Sequence, residues 1–180
     1  MTDRPYHHGD LRRTALAATA EAIEQGGPAA LSLRDVGRRA GVSHAAFKHH
    51  FGGKPGLLTA LAAEGYDLLA DAVTAAGDDL VEAGVAYVRF AVGHPAHFEV
   101  MFQPSLHLAD DPELISAQER ADRALTAALS ASATASTELA AWSIVHGFAN
   151  LWLSGALPAG LDDDAGNAAR PVIRLLSFIA

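Results

Sequence analysis

Cysteine is missing altogether from these 180 residues. Its absence rules out disulfides, thiolate metal sites and a cysteine nucleophile at once, and it suits a reducing cytoplasm. Strand-like alternation of period two is sustained nowhere, while alanine abounds, so the chain reads as all-α. The N-terminal residues are polar and charged, without the apolar stretch that a signal peptide needs. Catalytic signatures are missing too. Gly52 to Gly56 (GGKPG) lacks the G-x-x-x-x-G-K-[ST] spacing of a phosphate loop. His94 and His97 are separated by Pro95 and belong to no H-E-x-x-H pattern, and no Gly-x-Ser-x-Gly elbow occurs. No enzymatic activity, metal site or cofactor is expected.

Basic residues are in short supply: 13 Lys and Arg stand against 21 Asp and Glu, for a net charge of -8. The deficit is uneven. Residues 1–54 hold eight basic and five acidic side chains, whereas 55–180 hold five and sixteen. A basic head (1–54) on an acidic body (55–180) follows. Such a body repels a polyanion and lowers non-specific affinity for it, which favours discrimination over strength.

The head centres on Ser32 to Lys54, SLRDVGRRAGVSHAAFKHHFGGK. Ser32 with Asp35 reads as a capping box that opens a helix running to about Ala40. Gly41 supplies the turn, Val42 plugs the corner and Ser43 caps a second helix over roughly His44 to Phe51. Phe47 and Phe51 fall one turn apart and face the core. His44, Ala45, Lys48 and His49 then face outward, with His50 to one side. Small residues at the start of such a helix let it sit deep in a major groove. Base edges fall to His44, Ala45 and Ala46, with His49 able to reach a purine or a phosphate. Lys48, His50, Lys54, Arg34 and the hydroxyls of Ser32 and Ser43 are placed for phosphates. A helical hairpin with a solvated basic face is the blander alternative, but the ordered run of cap, turn, cap and flanking lysines is more specific.

LSLRDVGRRAGVSHAAFKHHFGGKPGLL closely resembles the DNA-binding region of TetR-type transcriptional repressors, YHHGDLR (Tyr6 to Arg12) resembles one branch of that family, and Trp142, His146 and Gly147 match its W-x-x-x-H-G signature. The resemblance implies an N-terminal three-helix, helix-turn-helix DNA-binding domain and a C-terminal helical domain for ligand binding and dimerisation. Two positions depart from the pattern. Gly37 replaces the usual alanine, which loosens its helix by up to ~1 kcal/mol. Lys48 replaces a phosphate-contacting tyrosine, which implies a stronger salt dependence.

Elsewhere the periodicity predicts a first helix from Leu11 to about Gln25, capped by Asp10 and stopped by Gly26-Gly27-Pro28. A long helix follows Pro55, another carries Val81 to Val92, and His97 to Phe102 forms a short apolar segment. A further helix runs from about Glu113 to Ser130, and Ser130 to Thr137 reads as a loop. Leu139 to Leu161 contains no Asp, Glu, Lys or Arg, long enough on length alone to span a bilayer. It also holds His146, Asn150 and Pro158 and ends on Asp162-Asp163-Asp164, so a buried helix, apolar all round, is the better reading. Such a helix needs two partners. The core is one, and a second copy of the chain is the other, giving a homodimer through helices at about 138–156 and 168–179. Phe90, His97, Met101, Phe102, Trp142 and His146 are candidates to line an effector pocket.

The expectation is a cytoplasmic, dimeric regulator that binds an operator in double-stranded DNA and is released by a small, mostly apolar effector. An activator, a protein-interaction module and, last, a small-molecule enzyme are the alternatives.

Overall fold

The computed structural model describes the backbone of residues 8–41, 44–129 and 134–178, and the side chains of these except 8–10, 44–46 and 177–178. Among the described residues there is no strand. The chain forms two compact units, one from residues 1–64 with 96–115 and the other from 65–95 with 116–180. Compactness thus groups the segment 96–115 and the residues up to Glu64 with the head, rather than dividing the chain at 54/55.

In the first unit, α1 (His8–Gly26) buries Leu11, Ala15, Leu16 and Ile23 along one stripe. The helix starts before Asp10, so that residue lies inside it and does not cap it at Leu11. Thr19 is buried on the same stripe, and its hydroxyl donates to the Ala15 carbonyl at 2.7 Å. Helix α2 (Leu33–Ala40) begins where the Ser32 hydroxyl oxygen accepts from the Asp35 N–H at 3.5 Å. The return half of the expected capping box is not formed; the Asp35 carboxylate lies 3.9 Å from Arg38 instead. Gly41 closes the helix at φ 66°, in the left-handed region that other side chains resist. Helix α3 (His44–Phe51) follows with the expected limits and buries Phe47 and Phe51, whose ring centroids are 5.0 Å apart.

Helix α4 (Lys54–Ala76) buries Leu57, Leu58 and Leu61 in this unit. Helix α5 (Leu80–Gly93) belongs to the second unit and is followed by α6 (Pro95–Met101), the short apolar segment of the sequence. Ala96, Phe98, Val100 and Met101 are buried on α6, and Phe98 meets Phe102 edge-on at 5.3 Å. His97 is buried too, with Nε2 3.0 Å from the Glu64 carboxylate. The turn at Pro104–Leu106 leads to two ties, one from His107 Nε2 to the Val100 carbonyl at 2.8 Å and one from the Leu108 N–H to the Thr59 hydroxyl at 2.9 Å. Asp111 then caps α7 (Pro112–Ala127), and Glu113 at its start accepts from Arg12 at 2.6 Å.

In the second unit α5, capped by Asp79, packs against α8 (Ala135–Leu153) and α9 (Ala165–Ile173). Gly84 brings α5 and α9 close: a Cβ there would lie 2.9 Å from Ile173 Cγ2. Helix α8 starts on its Thr134 cap and stops at Leu153 before Gly155, whose φ is 68°. It is therefore shifted toward the N-terminus from the predicted 138–156. Helix α9 starts on its Asp164 cap and contains Pro171, and it tightens into a 3-10 turn at Arg174–Phe178 where a helix over 168–179 was expected. Residues 130–133, part of the predicted Ser130–Thr137 loop, lie outside the described residues, and Ala135 onward is already helical.

Two ion pairs fix α9 to α5. Arg170 forks onto both oxygens of Glu82, and Arg89 reaches Asp164 at 2.8 Å. Arg170 holds the Glu82 carboxyl below its ordinary range, and Arg89 does the same for Asp164. A lowered folded-state value means stabilisation that is present at neutral pH and lost as pH falls through the carboxylate range. Thermal stability is therefore expected to drop between about pH 5 and pH 3. The double variant E82Q/D164N should flatten that drop while keeping the helical circular-dichroism signal.

Candidate nucleic-acid interface and effector cavity

The reading surface is produced by burying one side of α3. With Phe47 and Phe51 turned into the core, Lys48, His49 and His50 are left exposed in its last turn. Arg34 is exposed in the first turn of α2, and Arg38 and Arg39 are exposed in its last turn. Ser32 is half-buried, and its oxygen accepts one bond in the cap, which does not use the O–H that a phosphate would need. Ser43 lies outside the described residues, as do the side chains of His44, Ala45 and Ala46. Gly37 is buried inside α2, a place where a methyl group would otherwise add helix propensity.

Lys54 has a second attachment that spacing along the sequence did not signal. Its Nζ donates to the Ala29 carbonyl at 3.0 Å, tying the start of α4 to the loop before α2. Arg39 is held as well, donating to Gln25 at 2.8 Å. Lys48 is thus the exposed lysine of α3, while Lys54 commits one of its three protons to holding the reading helices together.

A cavity of about 450 Å³ lies within the second unit, a size suited to a small molecule. Leu80, Ala83, Gly84 and Tyr87 of α5 form one wall, and Ile173 and Leu176 close one end. From α7 come Asp122, Leu125 and Thr126, with Leu129 just beyond its end; from α8 come Glu138, Ala141, Trp142 and Val145. Both sets follow the i, i+3, i+4, i+7 spacing of one helix face.

Only Trp142 of the six pocket residues expected from sequence lines this cavity. Phe90 faces a separate recess with His94 and Arg89. His97, Met101 and Phe102 belong to the first unit, where His97 and Met101 are buried beside their own neighbours. His146 stands behind the wall, because Tyr87 Oη lies 3.0 Å from its Nδ1. Burial lowers the His146 pKa, so the imidazole is neutral at neutral pH and shares one hydrogen bond with the tyrosine hydroxyl. Burial also raises the Tyr87 phenol well above its ordinary value, and its oxygen is hydrogen-bonded by Trp142. Tyr87 therefore presents its ring to the cavity with its hydroxyl already engaged on both sides.

The α7 contribution was missed by sequence reading, although the stripe Asp122, Leu125, Thr126 and Leu129 was a visible signal. Its polar members made it look like a solvated face.

Helix α8 also carries the predicted outward apolar face. Leu139 (58 % exposed), Trp142 (43 %), Leu151 and Leu153 are uncovered, as are Val172 and Leu175 (59 %) at the end of the chain, while Val145, Phe148 and Ala149 face inward. Among the described residues no helix is long and apolar enough to cross a membrane, and no group of His, Asp and Glu is arranged to hold a metal ion.

Comparison with known proteins gives the same outline. The model of the tetracyclin repressor-like C-terminal domain matches residues 80–176, and that of bacterial regulatory proteins of the tetR family matches residues 15–61. A Rhodococcus sp. RHA1 protein with unknown function is similar in structure, with 29 % identity over 97 % of each chain and a TM-score of 0.75. The TetR-like regulator LfrR from Mycobacterium smegmatis, solved with proflavine, has 19 % identity over 93 % of this chain and 95 % of its own, at a TM-score of 0.70. The multidrug binding protein EbrR, complexed with imidazole, has 21 % identity over 92 % and 93 %, at a TM-score of 0.61. No curated protein matches the chain.

Proposed function

Because the chain belongs to the TetR family of bacterial transcription regulators, we propose that it is a repressor, held on a palindromic operator as a homodimer and released by a small, mostly apolar ligand. One observation carries this reading: α3 follows a capped α2 and a glycine turn, buries both phenylalanines and leaves its basic side chains outward. A cavity within the body and a long uncovered apolar face supply the other two parts of such a device. LfrR with proflavine and EbrR with imidazole are precedents for small ligands on this fold. We keep residues 1–54 as the DNA-binding domain and 55–180 as the effector and dimerisation domain, and place the protein in the cytoplasm, where its operator would be.

Within the head, His44, Ala45 and Ala46 read base edges in this scheme. Lys48, His49, His50, Arg34, Ser32 and Ser43 hold phosphates or lie beside them, and Lys54 adds a phosphate contact to its structural one. Ligand binding favours a spacing of the two heads that no longer fits both half-sites, so ligand and operator compete through a population shift.

Selection of DNA fragments by the purified protein at two salt concentrations tests the reading. A two-fold symmetric sequence should be recovered, with affinity falling steeply as salt rises; recovery of nothing above background at low salt would overturn it. On the recovered operator, Lys48→Ala should weaken all sequences alike and flatten the salt slope by about one. Changing His44 should instead alter preference at one base pair, by ~1–3 kcal/mol. Equal, sequence-blind losses in both variants would refute this division of roles.

A further inference from the structure

Resting on the reading that α3 enters a major groove, we propose that Arg39 is a positioning residue for operator binding. Together with Lys54 it pins the two ends of the reading helix to one short segment, residues 25–29. The Arg39 guanidinium donates to the Gln25 side-chain carbonyl at 2.8 Å and lies 3.6 Å from the Glu21 carboxylate. Lys54 donates to the Ala29 carbonyl at 3.0 Å. Arg39 comes shortly before α3 and Lys54 shortly after it, so the chain returns to the same anchor on entering and on leaving the reading helix.

The anchor is itself fixed. Gly27 donates to the Ile23 carbonyl at 2.7 Å, Leu31 donates to the Pro28 carbonyl at 3.3 Å, and Ile23, Pro28 and Leu31 are buried. Helix α2 needs such a tie. It is eight residues long, and its buried residues are Val36 and Gly37, neighbours in its middle, of which glycine has no side chain to lock. Packing at one point sets where a short helix sits, but not which way it points. The Ser32 cap holds one end and Arg39 the other. Gly41 and the turn to α3 follow directly, so the direction of α2 is passed on to the reading helix.

Charge alone would count Arg39 as a phosphate contact beside Arg34 and Arg38. Its geometry does not: the Arg39 side chain is 31 % exposed, against 74 % for Arg38. The planar fork of a guanidinium can engage two acceptors at once, and here both belong to α1. Surface bonds of this kind add little to stability. In operator binding, however, the loss of fit is counted at both heads of a dimer. A loss of about fivefold in operator affinity is expected.

Three variants of the full chain test this on the DNA fragment recovered by selection with the parent: R39M, E21A/Q25A and the triple variant R39M/E21A/Q25A. Alanine and methionine are good helix formers, so all three should melt within about 2 °C of the parent. R39M should bind about fivefold more weakly with the parent's salt slope, whereas the loss of a phosphate contact would flatten that slope. E21A/Q25A separates the two roles best, because it keeps every cation and removes an acid. Electrostatics alone would tighten its binding; the brace predicts a loss similar to that of R39M. The triple variant should lose no more than either. A flatter slope in R39M, unchanged binding in R39M, tighter or unchanged binding in E21A/Q25A, or losses that add in the triple variant would each overturn the positioning role while leaving DNA binding intact. Recovery of no fragment by the parent would overturn the reading of α3 itself.

Discussion

Leu175→Asp is expected to yield a folded monomer that no longer holds its operator. Leu175 is the most exposed large apolar side chain described, and Val172 near it in the chain is exposed as well. Burying a leucine contributes ~1.5–3 kcal/mol. A two-fold interface counts the substitution twice, and each aspartate must also give up water. The dimer should therefore weaken by ~3–6 kcal/mol, roughly two to four orders of magnitude in dissociation constant. Sedimentation at several concentrations reads this directly. Operator affinity should collapse toward that of a half-site, because a single head reaches only one. Leu108→Asp is the control: Leu108 is also exposed but lies in the other compact unit, and its variant should remain dimeric. If L175D sedimented like the parent, the α8–α9 face would not be the interface.

Gly56→Ala is the second large effect, and its sign runs against helix propensity. Within the α4 helix, alanine in place of glycine would ordinarily gain ~1 kcal/mol. Here the added Cβ would lie 1.9 Å from the Phe51 carbonyl oxygen, the last residue of α3. A backbone oxygen cannot rotate aside as a side chain can, so α3 and α4 must separate. We expect a net loss of ~1–3 kcal/mol, which in a chain of this size lowers the melting temperature by roughly 3–10 °C. Operator affinity should fall further than stability does, because the displaced element is the reading helix itself. A higher melting temperature in Gly56→Ala would show that this junction has slack.

The two predictions draw on different degrees of legibility. Helices α2 and α3 were readable to the residue, because Ser32, Gly41 and the Phe47–Phe51 pair are local signals whose physics needs no partner. Ends set by distant contacts were not. Helix α8 is shifted from the predicted limits because its Thr134 cap and the turn at Gly155 set its ends, and α9, which contains Pro171, gives way to a 3-10 turn. Trp142 was legible as a cavity residue because an aromatic on an apolar helix must find some surface. Asp122 was not, since one acid on a mixed helix face looks solvated until its neighbours are known. The same limit applied to Lys54, whose bond to the Ala29 carbonyl joins residues 25 apart. His97 and Met101 were chosen for their chemistry, but hydrogen bonding and burial in their own unit had already used them.

Leu139 and Trp142 belong to two surfaces at once: they line the cavity and they are exposed on α8. If that face joins two copies, a guest that shifts either residue also shifts the affinity of the copies for each other. By reciprocity, pairing changes the guest's affinity by the same factor. Apparent guest affinity should then drift with protein concentration near the dissociation constant of the pair, and a titration at one concentration would measure a composite. In a cell, the abundance of the protein would become part of the threshold at which it responds.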